Sequence, residues 1–214
     1  MADEYWLRAT RESYDRVSVR YADVVAEGLK GQAFEDRLLD YFANDIQRSG
    51  GGPVLDAGCG PGVLTRDLRS RGLDAYGFDV STSMLKLAAG DDGSARVFGA
   101  ALTAIPLQSA SIAGLFCWYV LHHVPDQDLL GSLTELARVT RPGGLIMIGG
   151  HTGEGSYIKT AGYGGTPMRV WFVRRPAKEY ADLLSQCGLQ MEATVELGAE
   201  QPATNAVWFA RKPE

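Results

Sequence analysis

Apolar residues recur at three- and four-residue spacing through the first 48 positions. Tyr14, Val17, Tyr21, Val24 and Val25 form one series, and Phe34, Leu38, Leu39, Phe42 and Ile46 form a second beyond Gly31. That period predicts two amphipathic helices over residues 3–48, packed on the rest of the chain or covering a site. Residues 49–53, Ser-Gly-Gly-Gly-Pro, end them with turn chemistry. The rhythm then changes to short apolar runs alternating with helical stretches. It predicts strands at 53–56, 74–78, 95–98, 112–119 and 145–148, and helices at 62–71, 81–89 and 125–140. Ser81 suits the N-cap of the second of these helices, and residues 141–144, Arg-Pro-Gly-Gly, stop the third. Such alternation predicts a parallel sheet with helices on both faces. Residues 149–172, rich in glycine and aromatic residues, break the pattern and read as a long functional loop. A helix at 176–187, ended by Gly188, leads to strands at 190–197 and 205–211. Their connection is too short for a crossover helix, so these two strands pair antiparallel.

The chain is thus an α/β protein in one compact unit, with a helical cap at 1–48 and the sheet domain at 49–214. Its 214 residues, 45% hydrophobic and 22% charged, suffice for a real core. A net charge of −5 argues against a general affinity for nucleic acid or anionic membrane. Arg169, Arg174, Arg175 and Lys178 are the basic residues that stand close together. No apolar run approaches the roughly 20 residues that span a bilayer, and no secretory pattern opens the sequence. With Cys59, Cys117 and Cys187 read as reduced thiols, a cytoplasmic monomer or homodimer is expected.

Candidate chemistry centres on Val54-Leu55-Asp56-Ala57-Gly58-Cys59-Gly60-Pro61-Gly62. An apolar strand ends at a carboxylate, glycines follow at alternate positions, and a helix begins. This order opens a nucleotide-binding βαβ unit, in which glycine permits a sharp turn and close approach of a ligand. The helix N-terminus directs its free N–H groups at the same spot. Asp56 can receive loop N–H groups and face a cation. Asp79 ends the next strand at the distance where an acidic residue reaches ribose hydroxyls.

Together with Gly77-Phe78-Asp79, the segment 121–126 (Leu-His-His-Val-Pro-Asp) and the segment 136–144, this stretch resembles the class I S-adenosylmethionine-dependent methyltransferases, of the small-molecule, methyltransferase-11/25-like type. The resemblance covers residues 10–211. It implies a Rossmann-like, doubly wound seven-stranded sheet of order 3-2-1-4-5-7-6, strand seven antiparallel, and S-adenosyl-L-methionine as cofactor. It implies a cofactor site of Tyr14, Tyr21, Asp56, Ala57, Gly58, Gly60, Asp79, Val80, Met84, Ala100, Ala101, Leu102 and Trp118. The family's acidic residue after strand three is missing; backbone groups of residues 100–102 are expected to read adenine instead, with Val80 and Met84 on its faces. His123, His122 and Tyr119 are the candidate catalytic residues. Adjacent histidines point in different directions on a regular element, so one of the two is expected to be structural. His151, Tyr157, Tyr163, Arg169 and Trp171 are candidates for acceptor binding. No set of residues at metal-ligand spacing is present.

The expected reaction is methyl transfer to O, N or C of a small molecule, a secondary or specialised metabolite, with no nucleic-acid or membrane partner. Two alternatives stand beside it. One is a Rossmann-type dehydrogenase. The other is a scaffold that retains the cofactor and binds a partner or catalyses a cyclisation.

Overall fold

The computed structural model describes residues 3–28, 33–90, 96–198 and 204–214. Gly31, Ala95 at the start of the predicted third strand, and most of the connection before the last strand lie outside them. Two helices open the chain, α1 (Asp3–Gly28) and α2 (Ala33–Arg48). Then come β1 (Pro53–Ala57), α3 (Val63–Ser70), β2 (Asp74–Asp79), α4 (Thr82–Ala89) and β3 (Val97–Gly99). They are followed by β4 (Ile112–Trp118), a single 3-10 turn (Leu121–His123), α5 (Asp126–Val139) and β5 (Thr140–His151). The remainder is β6 (Ser156–Gly162), β7 (Thr166–Val173), α6 (Ala177–Gln186), β8 (Gln190–Leu197) and β9 (Asn205–Arg211).

The main sheet has the order β3-β2-β1-β4-β5-β9-β8. β9 lies antiparallel to both β5 and β8, and the pairs from β3 to β5 are parallel. This is the expected order 3-2-1-4-5-7-6, with β9 as strand seven. Successive strand residues serve opposite faces. Leu55, Leu115 and Ile146 pack with Leu133 and Leu136 of α5 and Leu184 of α6. Their neighbours Val54, Phe116 and Met147 pack with Phe42 and Ile46 of α2 and Leu68 of α3. The two N-terminal helices therefore do different jobs: α2 covers a sheet face, while α1 packs on β7 and α4 above the strand ends.

Two expectations change. The helix does end just before residues 141–144, but these are strand and not turn, since β5 already begins at Thr140, which pairs with Ile112. The predicted loop at 149–172 is strand as well. β5 runs on to His151, and β6 and β7 form a separate antiparallel hairpin. Met168, Val170 and Phe172 alternate inward on β7. The first two close over Val17 of α1 in a small core of their own. That burial holds the hairpin together despite its glycines. Hairpin and α1 thus form one lid over the C-terminal ends of the parallel strands. Among the described residues no helix is long and apolar enough to cross a membrane.

Candidate active site

β1 and β2 are parallel neighbours in the register Ala57↔Phe78, so the glycine turn leaving β1 curls over the end of β2. The N–H groups of Gly58 and Cys59 donate to the Phe78 carbonyl at 2.8 and 2.9 Å. That of Gly60 donates to Asp79 Oδ2 at 2.9 Å, and Ser81 N–H reaches Asp79 Oδ1 at 2.8 Å. Asp79, not Asp56, therefore receives the loop N–H group. Asp56, 2% exposed, instead accepts the hydroxyl of Thr65 on α3. At Gly60, with φ +52°, an added Cβ would have only the Tyr21 ring within 4 Å, at 3.6 Å, which leaves room for a ligand beside the backbone. At Gly62 a Cβ would meet that of Ala88 at 2.9 Å, so this glycine serves the close approach of α3 and α4.

Burial pushes the Asp56 carboxyl up to about 7; the Thr65 hydrogen bond opposes the shift and the charge of Asp79 adds to it. Burial raises Asp79 too, against the pull of its N–H donors. Among the described residues no lysine or arginine forms an ion pair with either. One buried and one half-buried carboxylate without a cation are an arrangement that a cationic ligand completes.

Helix α1 closes over this floor through polar contacts of three residues, Ser13, Tyr14 and Asp15. Asp15 Oδ1 accepts from Ser81 Oγ at 2.6 Å and from Ser83 N–H at 2.9 Å. Ser13 Oγ accepts from Arg169 N–H at 2.8 Å. The Tyr14 hydroxyl lies 2.7 Å from His123 Nε2, and His123 Nδ1 lies 2.8 Å from the Trp171 carbonyl. A carbonyl only accepts, so Nδ1 carries the proton and Nε2 accepts from Tyr14.

Three cavities follow one another beneath the lid. The outer one, about 550 Å³, is lined by Arg8, Arg11, Val80, Ala100 and Ala101. The central one, about 80 Å³, takes Val80, Met84, Ala100, Leu102, Gly58, Gly60, Asp79, Tyr14, Tyr21, Trp118 and Tyr119. The backbone near adenine's expected place is partly engaged already: Ala100 N–H donates to the Asp79 carbonyl, and the Ala101 carbonyl accepts from Ala104 N–H. Ala57 is buried in the sheet core and lines none of the three.

The inner cavity, about 430 Å³, shares Tyr14, Tyr21, Gly58, Trp118, Tyr119 and His123 with the central one. Asp56, His122, His151, Tyr157, Lys159, Tyr163 and Phe172 are among its other lining residues. His122 and His123 do not diverge. Their 3-10 turn brings the rings to 3.9 Å, both buried and both on the cavity. Burial lowers His123 to about 4 and holds His122 well below the ordinary imidazole value, so both rings are neutral near pH 7. His122 Nδ1 is buried without a hydrogen-bond partner. Tyr119 holds a left-handed backbone (φ 56°) that sets its ring 4.7 Å from His151. Strain of this kind concentrates at functional sites.

Two predicted acceptor residues lie elsewhere. Arg169 is exposed, its guanidinium over the Tyr5 ring, because β7 alternation turns it away from Met168 and Val170. Trp171 packs against the main core and contributes its carbonyl only. Nor do the basic residues of that region form a patch: Arg175 is buried against Asp126, and Lys178 pairs with Asp182. Thr65, Lys159, Phe172 and Asn205 were not singled out in the sequence. Asn205 becomes visible only through the β5–β9 register, which places it opposite His151.

A model of the methyltransferase domain family matches residues 54–144, from the glycine turn to the start of β5. Residues 54–144 thus carry a methyltransferase domain, and the chain is similar to the class I S-adenosylmethionine-dependent methyltransferases. It is 40% identical over 93 residues to a malonyl-acyl-carrier-protein O-methyltransferase of Salmonella typhimurium, covering 44% of this chain and 36% of that protein. It is 31% identical over 137 residues to an uncharacterised methyltransferase of Geobacillus kaustophilus, covering 64% and 60%. The matched part thus spans less than two thirds of either relative. Among solved structures, the cyclase SpnF superposes with a TM-score of 0.71 at 18% identity, over 95% of this chain and 94% of that one. At that identity the likeness concerns the fold.

The cofactor of this methyltransferase family, S-adenosylmethionine, is cationic at its sulfonium and its ammonium. The uncompensated Asp56–Asp79 pair and the open space at Gly60 suit such a molecule.

Proposed function

We propose that the chain transfers a methyl group from S-adenosylmethionine to a small-molecule acceptor seated in the inner cavity. One observation carries the reading. A cation-poor carboxylate floor and an aromatic, histidine-lined chamber meet directly at Trp118 and Tyr119. Asp56 would face the ammonium and Asp79 the ribose hydroxyls. Val80, Met84 and Leu102 would flank adenine, with Tyr14 and Tyr21 closing above. When bound, the cofactor supplies an electrophilic methyl on sulfur. The protein has to hold the acceptor in line and exclude water. The lid of α1 and the β6–β7 hairpin does both, and the chamber combines aromatic rings with polar groups, among them neutral histidines, tyrosine hydroxyls and Lys159. The acceptor named for the Salmonella relative belongs to that protein. The chamber here favours a free aromatic metabolite, and the net charge of −5 disfavours nucleic acid.

Calorimetry with S-adenosylhomocysteine tests the reading, followed by mass-spectrometric screening of phenolic, amine and carbon acceptors. One-to-one binding and a product heavier by one methylene are expected. Thermal stabilisation by NAD alone would overturn it. Binding with no transfer to any acceptor would favour the cofactor-retaining scaffold.

A further inference from the structure

His151 is one strand away from the histidine pair and differs from them in one respect. Its Nδ1 lies 2.9 Å from Asn205 Oδ1, while Asn205 Nδ2 donates to Thr204 Oγ1 at 3.3 Å. With the amide oxygen turned toward the ring, Nδ1 must carry the proton. Nε2 is then a bare lone pair, and among the described residues no protein group bonds it. His123 lacks this freedom, since Tyr14 already occupies its Nε2.

A second feature faces the same chamber. Lys159 follows Tyr157 by two residues on β6, so both point to one side of the strand. Its Nζ sits 4.8 Å from the Tyr163 ring centroid, and no carboxylate among the described residues pairs with it. Tyr157 stacks on Phe172 (5.1 Å), and Phe172 lies 5.1 Å from His151. One wall therefore carries a proton acceptor, two flat rings and, about 7 Å further along the strand, an ammonium.

Resting on the methyl-transfer reading, we propose that the acceptor is an aromatic hydroxyl compound bearing an anionic group. Its hydroxyl meets Nε2 of His151 and its anion meets Nζ of Lys159. Nε2 without a proton cannot donate to an acceptor carboxylate, and Lys159 repels an ammonium. A hydroxyl can donate to Nε2 and is not repelled by Lys159. In the transfer, the hydroxyl oxygen forms the new O–CH3 bond as the S–CH3 bond breaks. The bonding pair stays on sulfur as a neutral thioether, and the hydroxyl proton passes to Nε2 of His151. Asn205 is a positioning residue that holds the productive tautomer. Burial lowers the His151 pKa, and Arg174 and Lys159 add to this against the Asn205 hydrogen bond. The other groups facing it are the neutral His122, Tyr119 and Phe172.

The test uses the full chain with and without saturating S-adenosylhomocysteine. 2-, 3- and 4-Hydroxybenzoate and 4-hydroxycinnamate are each titrated against the matching amide, and 4-aminomethylphenol serves as the cationic probe. Nitrogen NMR reads the His151 tautomer. At least one acid should bind tenfold or more tightly than its amide, and Lys159→Met should erase that gap while leaving S-adenosylhomocysteine affinity unchanged. His151 should show the Nδ1–H form, redistributed in Asn205→Leu. The proposal is overturned if no acid binds, if amides or the amine bind as well, or if His151 carries its proton on Nε2. Failure of S-adenosylhomocysteine to bind would strike the broader methyl-transfer reading instead. The acid preference and the tautomer are read without it as well.

Discussion

The Tyr14 hydroxyl donates to Nε2 of His123 at 2.7 Å, across 109 positions of sequence. This bond ties the lid helix to the turn after β4 and occupies one ring nitrogen of a candidate catalytic residue. Tyr14→Phe leaves a buried acceptor without its donor, a loss of roughly 1–3 kcal/mol. The melting temperature should fall by about 2–12 °C. Cofactor affinity should fall as well, because the same ring lines the central cavity. Differential scanning calorimetry and titration of S-adenosylhomocysteine read the two effects separately. An unchanged melting temperature would mean that Tyr14 and His123 are not bonded in solution.

Asp15 is the other tie of the lid. Partial burial pulls its pKa up, but the hydrogen bonds from Ser81 and Ser83 prevail and leave it lowered. A carboxylate with a depressed folded pKa contributes stability that is fully present above its unfolded value, near 3.9, and is lost as pH falls through the folded one. The latch therefore holds across the whole neutral range. Asp15→Ala should speed release of S-adenosylhomocysteine about tenfold with little change in the sheet's stability. Stopped-flow displacement reads the off-rate; equal rates in the two proteins would show that α1 does not gate the site.

Arg175 joins the hairpin to the segment behind the histidine pair. Its side chain, 3% exposed, donates to Asp126 Oδ1 through Nε and one terminal nitrogen, to the Val124 carbonyl, and to the Tyr180 hydroxyl. Several acceptors lose their donor at once in Arg175→Met, at a cost of roughly 2–4 kcal/mol. Lysine offers one point charge in place of the planar fork, so Arg175→Lys should recover less than half of the loss. Chemical denaturation of the two variants compares these costs, and full rescue by lysine would refute the fork argument.

Much of the frame was legible because parallel strands buried on both faces have to be apolar throughout, as in Leu145 to Ile148 and Val54 to Leu55. The closing strands were legible because too few residues separate them for a crossover. The hairpin at 156–173 was hidden because its glycines imitate a loop, and only the alternation of Met168, Val170 and Phe172 betrays it. The cofactor loop illustrates a different limit. That Asp56 and Asp79 belong together could be read from order and spacing, but which of them takes the Gly60 N–H depends on how β1 curls over β2. The inner chamber depends on long-range register: His151 meets Asn205, and Lys159 faces Tyr163, only once the strands are paired.

Asp56 should reveal the site's function through pH. Burial raises its folded pKa to about 7, far above the unfolded value near 3.9. Between these values the empty folded protein binds a proton that the unfolded chain does not, so stability falls as pH rises toward 7. Asp56→Asn removes that ionisation and keeps an oxygen for the Thr65 hydroxyl. The empty variant should therefore melt about 2–8 °C above the parent at pH 8, and the gap should close as pH falls below about 4. Cofactor affinity should move the opposite way. The parent must release a proton to meet the ammonium, so its affinity for S-adenosylhomocysteine should climb between pH 5.5 and pH 7.5 and then level. In the variant the affinity should be at least tenfold weaker and flat over that range. Calorimetry in two buffers of different ionisation enthalpy would count the proton released at pH 6. A count of zero, with parent and variant equally stable at pH 8, would show that Asp56 is already ionised in the empty protein and that its burial is balanced by some other charge.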